Sequence, residues 1–201
     1  MRQGTKPMAA EAGLLDHPWV KRHKLDVSQY HRMGETGVFE GNERVELIEG
    51  EIVEMAPIGD RHAGTTNKLT ELLVVAARGR AVVAVGNPVR LDRYNEPQPD
   101  FALLEPRTDF YRGSVPTPSH VLLLVEVADS SLRFDRAVKL PLYARHGIPE
   151  LGIVDLHHDI IEVCREPRGD GYAATSHVAP GDVLEPALLP GVRIAVTYII
   201  R

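Results

Sequence analysis

Two carboxylates in the sequence stand where a charged side chain needs a partner. Glu126 interrupts VLLLVEV, the most apolar run of the chain, and Asp100 opens the run DFALL directly after Pro99. An ionised carboxylate on a buried strand must be hydrogen-bonded, paired with a cation or bound to a metal ion, because burying its charge alone is very costly. Two such carboxylates would be enough for Mg²⁺, which keeps several of its waters for substrate phosphate and nucleophile.

A lysine beside these carboxylates would complete a hydrolytic centre. Its charge can orient or deprotonate the attacking water and offset the negative charge that grows on a phosphate. Lys139 is the candidate for this role. In the alternative, Glu126 only forms an internal ion pair, with Arg133, Arg136 or Lys139, and Asp100 only accepts hydrogen bonds in a turn. Residue types alone do not decide, because 28 acidic residues and 23 lysines and arginines offer many such triples by chance.

A hairpin and a long helix are predicted in the first half of the chain. Residues 45–55, VELIEGEIVEM, alternate apolar and acidic residues around Glu49-Gly50, which predicts a two-residue hairpin with one buried face. Asp60 can cap a helix whose apolar residues repeat every 3.6 positions, with Gly79 just past its end.

Further helices and strands indicate the fold class. The short apolar runs that predict strands are AVVAV (81–85), PVRL (88–91), DFALL (100–104), VLLLVEV (121–127), LGIVDL (151–156) and IIEVCRE (160–166). Asp26 and Gln29 resemble a capping box that opens a short helix. A second helix is expected from about Asp135 to His146, kinked at Pro141. Together they predict an α/β or α+β domain with a mixed central sheet, flanking helices and extra hairpins.

Composition limits the number of domains and the class of protein. With 201 residues, 43% hydrophobic and 25% charged, the chain suits one globular domain, residues 21–201, after a loose leader, residues 1–20. The single Cys164 excludes an internal disulfide and any metal site of several cysteines. No run of about 18 apolar residues occurs and no signal peptide is recognisable, so we expect a cytoplasmic protein without a membrane span. A net charge of −5 argues mildly against broad, charge-driven nucleic-acid binding, but not against a local basic groove.

Several segments, in this order, resemble the Uma-type restriction endonuclease family, small bacterial proteins within the PD-(D/E)XK nuclease superfamily. The similar segments are RVELIEGEIVEM (44–55), PIGDRH ending at His62, QPDFALL (98–104), LLLVEVADSS (122–131), FDRAVKLPLYARHGIPE (134–150) and GIVDL (152–156). The resemblance spans roughly residues 25–200 and implies a restriction-endonuclease-like core.

The resemblance also implies a site. Asp100 matches the aspartate of the PD element and Glu126 the following acidic ligand, so both would bind Mg²⁺ or Mn²⁺, and the carbonyl of Val127 could add a ligand. One departure concerns the lysine: Ala128 stands two residues after Glu126, where the plain motif has its lysine. In this branch Lys139 would reach the site from the following helix.

Two further residues become candidates because the resemblance puts the hairpin and the start of the long helix near the site. Glu46 could be an additional metal or water ligand, or only an exposed residue of an alternating strand. His62 could be a further residue of the catalytic site, or it could be an ordinary residue in the first turn of the long helix. Tyr143 and Arg145 could approach DNA, although core packing explains Tyr143 equally well.

The resulting expectation is Mg²⁺-dependent hydrolysis of a phosphodiester bond, most plausibly in DNA, at Asp100, Glu126 and Lys139. The basic residues that could line a groove for the nucleic-acid backbone are Arg61, Lys68, Arg90, Arg93, Arg133 and Arg136. The rivals are a catalytically silent domain that binds nucleic acid or a protein partner, and a hydrolase of another phosphoester. A homodimer is expected only by analogy with nucleases that cut two strands.

Overall fold

A short helix, a hairpin and a long helix come first in the chain, as predicted. In the computed structural model, which describes residues 19–39 and 43–200, they are α1 (Val27–Glu35), β1 (Val45–Ile48), β2 (Glu51–Glu54) and α2 (Asp60–Ala77). The capping box of α1 is present, because the Asp26 and Gln29 side chains each accept a bond from the other's backbone N–H. Glu49 and Gly50 both have positive φ, 53° and 78°, as a tight two-residue hairpin turn requires. The predicted leader lies outside the described residues, apart from positions 19 and 20.

The start of α2 differs from its prediction. The N-cap residue is Gly59, without a side-chain capping bond, and Asp60 is already the first helical residue. The capping role predicted for Asp60 is therefore wrong. The helix ends as predicted, since Arg78 is left-handed and Gly79 has a φ of 76°.

Six strands form the central sheet. They are β3 (Val82–Val85), β4 (Phe101–Leu104), β5 (Val121–Ala128), β6 (Glu150–Asp155), β7 (Ile160–Arg168) and β8 (Gly171–Val178), and they lie side by side in that order. The β5–β6 pair is parallel and the other four pairs are antiparallel, so the sheet is mixed. This confirms the predicted fold class.

The single parallel pair needs a crossover, and a composite helix provides it. It consists of α3 (Leu132–Phe134), a π-helical stretch (Asp135–Lys139) and α4 (Leu140–Arg145). The helix therefore begins three residues earlier than predicted. Instead of a simple kink at Pro141, it widens over the five residues that end at Lys139.

One predicted strand is absent. Residues 88–91 form a loop whose backbone N–H groups bond to two other segments: Val89 to Pro97 and Leu91 to Asn95 in the stretch that follows, and Arg90 to Pro116. The apolar side chains Val89 and Leu91 fill the core without pairing in a ladder. An alternating apolar pattern therefore identified burial here, but not extended pairing.

The two faces of the sheet carry separate cores. On one face Phe101, Leu103 and Val125 pack with α2 and with the C-terminal elements, β9 (Val183–Leu184), β10 (Ile194–Ala195) and α5 (Thr197–Ile200). On the other face Ala102 and Leu124 pack with α4. Because side chains alternate along a strand, Asp100 and Glu126 belong to this second face. None of the helices in the described part of the chain is long and apolar enough to cross a membrane.

Candidate active site

The register of two strands brings Asp100 and Glu126 together. Phe101 of β4 lies opposite Val125 of β5, so one further step places Asp100 beside Glu126. The backbone N–H of Val127 donates to Asp100 Oδ2 at 2.7 Å. The Asp100 carboxylate is therefore fixed against the strand that carries Glu126.

Glu126 is buried and held by two residues of the crossover helix. Its carboxyl is 3% exposed, and Oε1 accepts a hydrogen bond of 2.6 Å from the Tyr143 hydroxyl and lies 3.2 Å from Lys139 Nζ. Burial raises the pKa of Glu126 well above its ordinary value, although the charge of Lys139 acts in the opposite direction. Since both contacts use the same oxygen, the second carboxylate oxygen is left for another ligand.

Lys139 enters the site from the π-helical stretch. Its Nζ lies between Glu126 and Glu46, 3.3 Å from Glu46 Oε2, and the side chain is almost fully buried. Burial alone would lower the pKa of Lys139, but the charges of Glu126 and then Glu46 outweigh it and raise the pKa overall. The lysine is therefore a permanent positive charge. The extra residue that a π turn contains is frequently found at functional sites.

Glu46 and His62 also lie at this site, in contact with Lys139 and Asp100 respectively. Glu46 is buried, not exposed as an alternating strand would leave it, and its Oε2 accepts a bond of 3.0 Å from the Gln98 backbone N–H. His62, in the first turn of α2, places Nε2 3.1 Å from Asp100 Oδ1. The hydrogen bond to Asp100 raises the pKa of His62, against the effect of burial.

Asp135 and Tyr143 also belong to the site, although the sequence analysis did not place either residue in the catalytic centre. Asp135 is buried in the same place and accepts a bond of 2.7 Å from Ser131 Oγ, and burial raises the pKa of its carboxyl. Tyr143 is fully buried, and its hydroxyl donates to Glu126, so it does more than pack in the core. The four-residue spacing of Asp135, Lys139 and Tyr143 was a usable signal, because such residues share one face of a helix.

These side chains line one cleft of about 520 Å³ between the β2–α2 loop and the segment that follows β5. Its acidic lining residues are Glu46, Glu54, Asp100, Glu126, Asp129 and Asp135. Against these six stand two permanent cations, Arg44 and Lys139. A cleft with this excess of carboxylates attracts cations and repels an unaccompanied phosphate.

A comparison of the sequence with models of protein families identifies the family of this chain. The model of the Uma2 family, described as "Putative restriction endonuclease", matches residues 27–197. The chain belongs to the Uma2 family. All the candidate site residues lie inside the matched range.

A solved structure shares the fold. A crystal structure described as a putative nuclease belonging to DUF820, from Anabaena variabilis ATCC 29413, superposes with a TM-score of 0.66 and 12% sequence identity. The superposition covers 88% of this chain and 97% of that chain. Among curated proteins, none matches this chain. Identity this low shows a shared fold and nothing about the site of this Uma2 protein.

The donor set of the Uma2 chain fits a hard divalent cation. Asp100 and Glu126 offer carboxylate oxygens on adjacent strands, and Ala128 O bonds to Leu156 on the β6 side at 3.0 Å. Because successive carbonyls of a strand alternate between its edges, the Val127 carbonyl faces β4, where Asp100 lies. Among residues 19–39 and 43–200, no three histidine, cysteine, aspartate or glutamate side chains form a metal cluster. Two carboxylates and a carbonyl suit Mg²⁺ or Mn²⁺, which retain waters, better than a metal that needs a full protein cage.

The six basic residues that could have formed a backbone-binding groove do not gather around the cleft. Arg136 pairs with Glu162 at 2.9 Å and Arg93 with Asp26 at 3.0 Å. Arg61 donates to the carbonyl of Leu156. None of the six lines the cleft within the part of the chain that the structure describes.

Proposed function

We propose that this Uma2 protein is a metal-dependent endonuclease that hydrolyses phosphodiester bonds in DNA. The observation that carries the proposal is the convergence of Asp100, Glu126 and Lys139 in one cleft, with Lys139 Nζ 3.2 Å from Glu126. The family description and the fold neighbour support the nuclease class.

Asp100, Glu126 and the Val127 carbonyl would hold Mg²⁺ or Mn²⁺. When bound, the ion supplies Lewis-acid chemistry for a water and a phosphate oxygen. Tyr143 holds one oxygen of Glu126 at 2.6 Å, which directs the other towards the ligand position. Asp100 is held at both oxygens, Oδ1 by His62 at 3.1 Å and Oδ2 by the Val127 N–H at 2.7 Å, so its carboxylate plane is fixed towards the ligand position. Tyr143 and His62 act as positioning residues.

Lys139 carries the electrostatic part of the reaction. Its raised pKa keeps it protonated at neutral pH, so it serves as a fixed positive charge that orients the attacking water and offsets charge on the phosphate. It is not a base in the metal-free state, since Glu126 and Glu46 hold its proton in place. Glu46 and Asp135 balance the charge of Lys139 and orient it.

The decisive experiment combines metal binding with hydrolysis. Mn²⁺ should bind the parent chain in a calorimetric titration, and Asp100→Ala and Glu126→Ala should each weaken binding at least about tenfold. The same variants should lose Mg²⁺-dependent cleavage of plasmid and oligonucleotide duplexes. Asp170→Ala is the matched control, because this carboxylate is exposed and pairs with Arg145 outside the cleft.

Two outcomes would favour the rival functions. If Mn²⁺ binds with the same affinity to all these variants, or to none of the chains, a silent binding domain replaces the nuclease. If small phosphodiesters are hydrolysed and DNA and RNA are not, the substrate is another phosphoester. The proposed homodimer is tested by sedimentation equilibrium of the parent chain.

A further inference from the structure

A second groove lies on the same face of the sheet, at the far end of β4. We call it the Phe110 groove. It has a volume of about 820 Å³, and its lining includes Val83, Arg90, Leu104, Phe110 and Arg112, together with His31 from α1. Leu104 lies four residues along β4 from Asp100 and points to the same face, about 13 Å away at the rise of a strand.

The charge of the Phe110 groove is opposite to that of the catalytic cleft. None of the described residues that line it is acidic, whereas three of them, Arg90, Arg112 and His31, are basic. The buried Glu96 lies beneath it and holds two of these side chains: its Oε2 accepts from Arg90 Nε at 2.8 Å and its Oε1 contacts His31 Nε2. The ion pair with Arg90 uses only Nε, so the terminal nitrogens of the guanidinium are not engaged by it. The groove is therefore a pre-positioned cationic surface in a chain with a net charge of −5.

An aromatic ring is presented to solvent in this groove by a strained backbone. Phe110 is 73% exposed, and both it and Tyr111 have positive φ, 50° and 60°, a conformation that bulky residues rarely adopt. Tyr111 anchors the turn: its hydroxyl donates to the Glu105 carbonyl at 2.9 Å and Arg107 stacks on its ring at 4.5 Å. The anchored Tyr111 keeps Phe110 outside the core.

Cations beside an exposed aromatic ring are the combination that binds unpaired nucleic acid. Bases stack on the ring and arginines contact the phosphates, without dependence on sequence. The catalytic cleft cannot supply this binding energy by itself, because its six carboxylates repel a polyanion. A surface outside the cleft must therefore hold the substrate.

We propose that the Phe110 groove binds a single strand of nucleic acid, with a base on Phe110 and phosphates on Arg90 and Arg112. The inference rests on the proposed function in taking the substrate to be nucleic acid. Its binding step needs no metal ion.

The test measures binding without hydrolysis. A fluorescein-labelled oligothymidylate of about 15 nucleotides is titrated with the full chain at low salt in EDTA, and anisotropy gives Kd. Phe110→Ala should raise Kd about 5- to 100-fold, the loss expected for one stacked base. Tyr198→Ala is the matched control, because this exposed ring on α5 lies outside the groove. Its Kd should equal that of the parent chain.

Three results would overturn the proposal: no binding by the parent chain, an unchanged Kd in Phe110→Ala, or competition by thymidine monophosphate as strong as by the strand. Loss of a dimer in Phe110→Ala, with strand binding intact, would assign the groove to a second copy and also overturn it. The outcome is separable from the proposed function. If the parent chain cuts DNA and Phe110→Ala leaves strand binding unchanged, the proposed function stands and the groove inference is wrong. If the strand binds through Phe110 but DNA is not cut, the groove inference stands and the proposed function is wrong.

Discussion

The acidic cleft around Asp100, Glu126 and Lys139 and the Phe110 groove lie on one face of one sheet and differ in almost every physical respect. The cleft is acidic, and its central residues Glu46 and Glu126 are only 2% and 3% exposed. The groove is lined by cations and exposes the ring of Phe110. This difference separates two tasks. In the proposed function, the buried carboxylates would concentrate a metal ion, and the exposed cationic surface would hold the phosphates that those carboxylates repel.

The two regions also differ in how rigidly their charges are held. In the cleft the central charged groups touch one another: Lys139 contacts Glu126 and Glu46, and Asp100 contacts His62. Among the described residues that line the groove, ion pairs hold only Arg90 and His31, both through Glu96. Substitutions in the cleft should therefore have larger effects than substitutions in the groove.

The largest effect is expected for Lys139→Met. It removes the one cation between Glu46 and Glu126, and with it the charge that offsets the transition state, so turnover should fall at least about 100-fold. Mn²⁺ affinity should not weaken, because removing a nearby positive charge favours a bound cation. Single-turnover cleavage and calorimetry measure the two quantities. Lys68→Met, on the exposed side of α2, is the control, and retained cleavage in Lys139→Met would remove this lysine from the mechanism.

These residues show what the sequence can and cannot predict. The α1 cap and the Glu49-Gly50 turn follow from local residue types, and both are present. The burial of Glu46 does not follow locally, because it depends on Lys139, which lies 93 positions later and contacts it at 3.3 Å. A strand that alternates acidic and apolar residues predicts exposure until such a partner is known.

The same limit applies to the crossover helix and to the groove. Pro141 predicted a kink, but the helix instead widens into the π-helical stretch before it, from which Lys139 contacts Glu126 of β5 and Glu46 of the hairpin. The Phe110 groove combines α1, β3, the end of β4 and the following turn, so no single segment contains its pattern. Family membership and fold class were predictable because their motifs are ordered along the chain.

Tyr143→Phe should have the next largest effect. It removes the hydroxyl that holds Glu126 Oε1 at 2.6 Å and keeps the ring, so the core stays packed. Loss of such an orienting bond typically weakens a metal site about 10-fold or more, which a Mn²⁺ titration would detect. Tyr172→Phe is the control, since its buried hydroxyl has no hydrogen-bond partner among the residues that the structure describes. Equal Mn²⁺ affinities in the two variants would contradict a positioning role for Tyr143.

Glu126→Gln should abolish metal binding and change how stability depends on pH. Burial raises the pKa of Glu126, so as pH increases the folded, metal-free protein releases this proton at a higher pH than the unfolded chain does. The free energy of unfolding therefore falls as pH rises from the ordinary carboxyl range through the raised pKa. Glutamine does not titrate, so the Tm of the variant should rise relative to that of the parent chain as pH increases through this range. Asp135, whose pKa burial also raises, retains a smaller dependence of the same sign.

Thermal melts in EDTA at several pH values measure this effect, and Mn²⁺ should stabilise the parent chain but not Glu126→Gln. Glu54→Gln is the control, because this exposed carboxylate lines the same cleft, and a surface change should alter stability by less than about 0.5 kcal/mol. A melting temperature of Glu126→Gln below that of the parent would show that the buried ion pair with Lys139 outweighs the burial of the carboxylate.

The smallest effect is expected in the groove, for Arg112→Ala. This exposed arginine would contribute one phosphate contact, so Kd for the oligothymidylate should rise only about two- to fivefold at low salt. The variant should also change the salt dependence of binding. The negative slope of the logarithm of the association constant against the logarithm of salt concentration should become shallower by about 0.7. Phe110→Ala, by contrast, should leave the slope unchanged, because stacking releases no counterions. If both variants changed the affinity and the salt slope by the same amounts, separate roles for Arg112 in phosphate contact and Phe110 in stacking would be contradicted.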